Sequence, residues 1–446
     1  MDANTRFRVS LQMPSIRNVE KRLPLRIDHL DISEFSTIIN DTKYGLKILR
    51  HYPDGNAPQY IKFENCLGGH LKDFDEFGFP TAPGRNILLP GDVLIEENEF
   101  EDRFDTEEAE AWFREELKAS EQALEKLIEL ETRGVTVEDY LDNLEPLHRD
   151  EFNLEEHKIR NALKFSEDLP LHIEELKNQL LPIDCRRNNT KPPFTCYIQL
   201  TIRKWCGINN TWSEKIQRFE YTKKLFEAPK HFNEVFFGGR TMPIRVGSLN
   251  FKFAEGIFRL PVGFRLQVNK VHVTKKSVRN DKLSVLVENS ETLDSLWMHY
   301  RLTPDDLQSQ IVRNAKRLVL ADVTKNDMQE MFPTIRDLPH RDMLILPYTL
   351  EFGSENCFQI IEAWLSGDRR VGANFSIKID TDKKARETLK LVQTRNERTK
   401  RTKRCVTIRR SDSTKVEVFY VPFEGQVKDY HLYHGNQIMK TRIVKA

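Results

Sequence analysis

Leu293-Asp294-Ser295-Leu296-Trp297-Met298 is the stretch on which the fold turns. Its apolar residues follow L-x-x-L-x-[LM] spacing, the core of a leucine-rich-repeat strand. From residue 247 onward, short alternating runs recur near Phe251, Val271, Trp297, Val319, Ile345 and Ile377, with gaps of 20, 26, 22, 26 and 32 residues. Each run sets apolar residues on one row: Leu249, Phe251 and Phe253, then Val271 with Val273, Leu296 with Met298, Leu318 with Leu320, Leu344 with Leu346, and Phe375 with Ile377 and Ile379. Period-two alternation buries one face of a strand and leaves the other open.

Helix-like segments separate these runs. Thr303 is placed to cap a helix that begins at Pro304, with Asp305 and Asp306 at its positive end. Ser354 is placed to cap another, carrying Phe358, Ile361 and Leu365, and Thr381 caps a third that ends near Asn396. Strand–helix alternation of this period fits an irregular solenoid. A compact α/β layer and a discontinuous antiparallel arrangement also satisfy the pattern, since the motif is loose outside 293–298 and its asparagine is missing. If the strands stack in parallel, their outward rows form one recognition surface of Asn250, Lys252, His272, Trp297, His299, Val319, Ile345 and Ser376. A tryptophan beside histidines suits protein recognition. The alternative is that Trp297 packs under a loop and that the histidines are simply solvated.

The upstream half reads as several units. Residues 1–35 hold a short helix, a break at Met13-Pro14, a second helical turn and a strand from Leu25 to Ile32. Residues 36–95 are β-rich, with a hairpin signal around Asn40-Asp41-Thr42. Residues 96–182 form an acidic helical insertion or linker. There Asp105 and Glu108 are spaced as a helix cap, and Phe113, Leu117, Leu124, Leu127 and Ile128 make one stripe that either binds a partner or packs on its own domain. Residues 183–246 read as a β-hairpin plus helix, 247–396 as the repeat region, and 397–446 as a basic loop, closing hairpin and tail. The fold class is therefore α/β, α+β overall: a mixed β-rich N-terminal region, a helical middle insertion and a C-terminal irregular leucine-rich-repeat-like solenoid.

The 446 residues predict two or three domains. Lys+Arg and Asp+Glu nearly cancel at a net charge of +1, which argues against a nucleic-acid coat. No run approaches 18 apolar residues and the N-terminus has no signal-type apolar core, so the expectation is a cytoplasmic or nuclear protein that is not secreted and contacts no membrane. The six cysteines form no C-x-x-C pair. His431 and His434 beside Asp429 have zinc-like spacing but no cysteine partners, so no metal or cofactor is expected. The one basic cluster carries Arg398, Lys400, Arg401, Lys403 and Arg404. It reads as a nuclear address or a solvated loop, and nucleic-acid binding is not expected because no RNA-binding aromatic motif accompanies it.

Three stretches carry a resemblance. One is Asp2-Ala3-Asn4-Thr5-Arg6-Phe7-Arg8-Val9-Ser10-Leu11 through Pro14-Ser15-Ile16-Arg17 and Glu20-Lys21 to Pro24-Leu25. The second is Leu89-Pro90-Gly91-Asp92-Val93. The third is Arg187-Asn188-Asn189-Thr190-Lys191-Pro192-Pro193-Phe194-Thr195-Cys196. Together they resemble an uncharacterised, nematode-expanded domain family whose members are often named F-box C proteins, and the resemblance covers most of the chain. It implies a non-enzymatic adaptor whose N-terminal helices dock on the linker subunit of a cullin-type ubiquitin ligase, while the C-terminal repeats hold an unknown substrate protein. The docking residues would be Phe7, Val9, Leu11 and Pro14. Family members usually begin with a further helix of Tyr-Pro-Ser-Leu type, whereas this chain starts at Met1-Asp2, so half of the docking unit is expected to be absent. The competing reading is a stand-alone protein- or peptide-binding repeat protein with no ligase role.

Overall fold

The computed structural model describes residues 1–81, 84, 87–96, 106–143, 154–207, 210–251, 256–274, 280–289, 292–299, 303–347, 353–411, 413–422 and 437–446. The chain opens with α1 (Ala3–Gln12), whose first amides bond to the Asp2 carboxylate. Pro14 ends that helix, a 3₁₀ turn follows, and α2 (Arg17–Arg22) leads into β1 (Arg26–Ile32). β2 (Ser36–Ile39) and β3 (Thr42–His51) form the expected hairpin, turning at Asn40 with φ 57°. Asparagine tolerates that left-handed conformation better than most residues.

A segment with its own small cores follows. It comprises α3 (Gln59–Cys66), the short strands β4 (Asp73–Phe74), β5 (Pro80–Thr81) and β6 (Val93–Glu96), then α4 (Glu107–Arg133), α5 (Val137–Asp142), α6 (Leu154–Lys164) and α7 (Leu169–Asn188). The long helix α4 packs against α6 and α7. Its stripe is consumed internally: Phe113 and Leu117 meet Phe79, Leu176 and Leu180, while Leu124 and Leu127 join Leu163, Leu169 and Ile173. Only Ile128 of the stripe stays exposed. The cap of α4 is Thr106, whose hydroxyl accepts the Ala109 amide. The expected Asp105 lies outside the described residues. Asn189, at φ 51°, closes α7 in the left-handed conformation, and Phe194 is buried beside Phe74 and Arg50 as the chain enters β7 (Thr195–Cys206). That gives the Asn-Asn-Thr-x-Pro-Pro-Phe-Thr-Cys run a structural role as a helix-to-strand joint. β8 (Thr211–Glu220) returns antiparallel to β7.

The rest of the chain builds an array in which consecutive strands become neighbours. It contains α8 (Glu227–Phe237), β9 (Ile244–Phe251), β10 (Gly256–Phe258), β11 (Leu266–Val273), α9 (Asn280–Leu286), β12 (Ser295–His299), α10 (Pro304–Gln308), α11 (Gln310–Asn314), β13 (Arg317–Val323), α12 (Lys325–Asp337), β14 (Asp342–Pro347), α13 (Ser354–Leu365), β15 (Asn374–Ile379) and α14 (Asp382–Arg395). Then β16 (Thr399–Arg401), β17 (Cys405–Arg409), β18 (Thr414–Pro422) and β19 (Gln437–Lys445) close it as an antiparallel group. Fifteen strands form one mixed sheet ordered β16-β17-β18-β19-β15-β14-β13-β12-β11-β9-β1-β2-β3-β7-β8, while β10 pairs with β6 and β4 with β5 in two small separate sheets. From β15 to β1 all neighbours are parallel. The helices between them contact one another in succession, α9 with α11, α10 with α12, α12 with α13 and α13 with α14, so they form a layer on one side of the sheet.

The inward residues follow one spacing. Ile27, Leu30 and Ile32 on β1 align with Val246, Leu249 and Phe251, with Val268, Val271 and Val273, and with Leu293, Leu296 and Met298. Ala315, Leu318 and Leu320, then His340, Met343 and Ile345, continue the series. All are buried, and nearly all join one core with the helices. The first members Val246, Val268, Leu293, Ala315 and His340 lie 22, 25, 22 and 25 residues apart. The spacing first seen at 293–298 thus recurs on six strands, one of them distant in sequence. β1 belongs to the array, and the segment from β2 to β8 is threaded between its first two members.

Two buried ion clusters hold this insertion and the N-terminus to the array. Asp92, with a fully buried side chain, bonds Arg259 at 2.7 Å and Lys230 at 3.0 Å. The same cations reach the carbonyls of Gly84, Ile87, Pro90 and Leu260. Gly91, at φ 89°, lies so close to Pro261 and Val262 that a Cβ there would come within 2.6 Å of their backbone. The Leu-Pro-Gly-Asp-Val stretch is therefore a joint. At the other cluster, Glu20 takes Arg6 at 2.8 Å and Arg240 at 2.9 Å, while Phe7 packs edge-on against Phe236 with centroids 4.5 Å apart. Removing one member of a buried ion cluster strands the others without compensation. Asp92→Ala is expected to lower the unfolding free energy by about 3–5 kcal/mol in urea titrations, whereas Glu121→Ala on the surface of α4 should change it by less than about 0.5 kcal/mol.

Candidate recognition face

The sheet face away from the helices is laid out by the same register. Positions between the inward residues form lateral rows across the parallel strands. One row runs His29, Ser248, Lys270 and Ser295, with Arg317 and Asp342 continuing it. The next runs Asp31, Asn250, His272, Trp297, Val319, Leu344 and Ser376. A third places His299 beside Ala321 and Leu346. Parallel pairing stacks like positions, so the character of the face changes only from strand to strand.

That change is steep. The β13–β14 side is apolar: Val319, Ala321, Leu344 and Leu346 form a buried cluster with Ile438, against which Trp297 and Val421 pack. The β9–β11 side is polar. Between them stand three nearly parallel rings. His272 and Trp297 stack with centroids 4.9 Å apart and planes at 19°, and Trp297 and His299 at 5.8 Å and 24°. The indole N–H of Trp297 donates to Ser295 Oγ at 3.1 Å, which satisfies its polar end and fixes the ring. His272 and Trp297 are half-buried, whereas His299 is buried. Burial lowers the His299 imidazole to about 4. His299 is thus neutral at pH 7 and serves as a flat filler behind the indole.

Only part of the expected surface row is available to a partner. Asn250, His272, Trp297 and Ser376 retain some exposure. Val319 is fully buried and His299 nearly so. Ile345 requires a correction. It belongs to the helix-covered core with Met343, and Leu344 with Leu346 takes the outward positions. Strand β14 carries five apolar residues in six, so alternation alone left its phase undetermined. Lys252 lies outside the described residues, as do Asp429, His431 and His434. Among the N-terminal docking residues, Phe7 is also corrected: it is buried in the main core, while Val9 is half-buried and Leu11 and Pro14 are exposed. The basic residues Arg398, Lys400, Arg401, Lys403 and Arg404 are all exposed. Lys400 and Arg401 sit on edge strand β16, whereas Arg398, Lys403 and Arg404 lie in the bends on either side of it, and the Arg404 guanidinium lies 5.6 Å from the Tyr420 ring centre.

A polar groove of about 530 Å³ at the start of β1, β9 and β11 was not anticipated. It is lined by Arg26, Asp28, Arg245, Gln267, Asn269 and Asn289. Arg26 and Arg245 are opposed in register on neighbouring strands, and neither forms an ion pair among the described residues. Asn289 holds the groove wall by bonding both the amide and the carbonyl of Val268 at 2.8 Å. No local signal marked it, because Arg26 and Arg245 become neighbours only once β1 lies beside β9. No group of three or more metal-ligating side chains occurs among the described residues.

Residues 224–381 match a family described as Domain of unknown function (DUF3557). The match begins just before α8 and ends at Thr381, the cap of α14, so it covers the consecutive strands of the array but not β1. No curated protein and no solved structure matches the chain. No described helix is long and apolar enough to cross a membrane.

Two buried histidines make the array sensitive to acid. His340, two residues before β14, stands where the other repeats place an aliphatic residue as the first inward position. Burial lowers its imidazole to about 4, although its Nε2 lies 2.6 Å from the Val312 carbonyl oxygen. In the unfolded chain both His340 and His299 take up a proton near pH 6.5. Their contribution is therefore complete above that pH and declines as pH falls toward 4, by on the order of 3 kcal/mol for each. Unfolding titrations between pH 7 and 4 should show this decline, and His340→Leu should be flatter than wild type by about half of it. Equal pH slopes for the two chains would show that the His340 imidazole does not couple to folding.

Proposed function

We propose that this chain is a non-catalytic recognition adaptor of F-box-like type. In this reading the array is an irregular leucine-rich-repeat-like solenoid, and its face away from the helices holds an extended segment of a substrate protein. The observation that carries the reading is the repeated inward spacing on six parallel strands. It fixes one rigid face, with the half-exposed Trp297 and His272 between an apolar and a polar half. A preformed aromatic anchor flanked by polar groups suits protein recognition. Arg26 and Arg245 would steer acidic segments toward the polar half. The adaptor would act by raising the effective concentration of substrate near a ligase, contributing no bond-making residue.

Docking on the linker subunit of a cullin-type ubiquitin ligase would fall to the outer side of the N-terminal segment. Leu11, Met13, Val19 and Leu23 are exposed there beside Pro14. A cytoplasmic or nuclear location accords with this role, and the exposed cations at 398–404 would serve as a nuclear address. A second reading, a stand-alone protein- or peptide-binding protein with no ligase role, is favoured by one specific observation. Phe7 and the Arg6–Glu20–Arg240 cluster commit the inner side of α1 to the protein's own core.

Binding of purified linker subunit to the full chain tests the two readings. Under the adaptor reading wild type binds, and Leu11→Asp with Met13→Asp weakens binding by about tenfold or more. Trp297→Ala should leave that interaction unchanged. A well-folded wild-type chain that fails to bind the linker subunit would remove the adaptor reading and leave the recognition face as the whole function.

A further inference from the structure

The sheet has two edges, β16 and β8. β16 is only three residues long and carries Lys400 and Arg401. Short length and positive charge are common protections for an edge strand. β8 has neither protection to the same degree. It spans ten residues, is exposed on both faces, and displays Trp212, Ile216 and Phe219 at 57%, 45% and 51% exposure. β7 pairs with it from Tyr197–Glu220 to Cys206–Thr211, so one side of its backbone is satisfied along its length. Among the described residues no strand pairs with its other side, which leaves that edge open to an incoming strand.

We propose that β8 is a homodimerisation edge, pairing antiparallel with β8 of a second copy about a two-fold axis perpendicular to the sheet. Such an axis opposes residues of like parity, so each register is centred on a single residue. Centring on Glu214 opposes two glutamates, and centring on Lys215 opposes two lysines. Centring on Gln217 sets Glu214 against Glu220, and registers farther out pair only about half the strand or less. Centring on Ile216 leaves no like charges directly opposite one another. Ile216 then meets Ile216, Glu214 faces Arg218 of the second copy twice over, Lys215 faces Gln217, and Trp212 faces Glu220. The strand is self-complementary in the one register that also engages nearly its whole length.

The neighbouring strand prepares this arrangement. Glu214 is already bonded by Arg203, and Arg218 Nε donates to Gln199 Oε1 at 3.2 Å, which aligns both charges on one face of the sheet. Trp205 and Trp212, with ring centres 5.0 Å apart, would close the two ends of the paired region. Cross-strand pairs of opposite charge stabilise antiparallel pairing and like charges oppose it.

Sedimentation equilibrium of the full chain up to about 100 µM tests the proposal in the affinity range of modest interfaces. The mass is expected to rise from monomer to dimer with concentration. Glu214→Arg places two arginine pairs across the axis and should raise the dissociation constant on the order of tenfold or more. The double variant Glu214→Arg, Arg218→Glu reverses both charges and should restore dimerisation. Ile216→Lys provides an independent disruption, with circular dichroism confirming that each variant is folded. A wild-type chain that stays monomeric overturns the proposal. So does a dimer indifferent to Glu214→Arg and Ile216→Lys, or one that the charge swap fails to restore.

Discussion

Parallel pairing of β1 with β9 is the constraint from which the rest of this architecture follows. Parallel strands cannot be joined by a tight turn, so each step along the array needs a long crossover. Four of the crossovers carry one or two helices, and together these helices make the single layer that covers the inward residues. The step from β1 to β9 is different. It encloses the β2–β8 meander and the helical segment before the array resumes. A slip of one residue at β1 would turn Ile27, Leu30 and Ile32 out of the core.

Stacking identical spacings does more than fill a core. The two residues between the first and second inward positions fall at the same level on successive strands, so polar groups there line up as rows. The buried ion clusters then work where apolar packing alone would not specify an orientation. Asp92 joins Lys230 and Arg259, and Glu20 joins Arg6 and Arg240, each tying a separate stretch of chain to the array. Hydrophobic replacements of similar volume could match their stability, but a hydrophobic contact is less directional. Glu20 and Asp92 lie in two of the stretches quoted for the family resemblance, and their ion pairs give those stretches an architectural role.

The legible parts of the fold were those governed by near neighbours. The break at Met13-Pro14, the Asn40 hairpin, the Thr303 and Thr381 caps and the closing hairpin all depend on residues within a few positions of one another. The errors share another origin. An unbroken apolar run from Met343 to Leu346 gives alternation no phase, so β14 was read one residue off and Ile345 was placed outward. Phe7 looked free because a short helix with few apolar residues gives no hint that Phe236 and Phe237 wait on α8.

Local spacing, capping and turn chemistry were enough to establish a mixed α/β chain with a repetitive second half, because these effects act over one helical turn or one strand. Which strands lie side by side is another matter. The adjacency of β1 and β9, the register that gathers His272, Trp297 and His299 into one stack, and the closeness of Arg26 to Arg245 all come from contacts spanning tens to hundreds of positions. No periodicity within a single segment encodes them, since they depend on how separate apolar rows share one core.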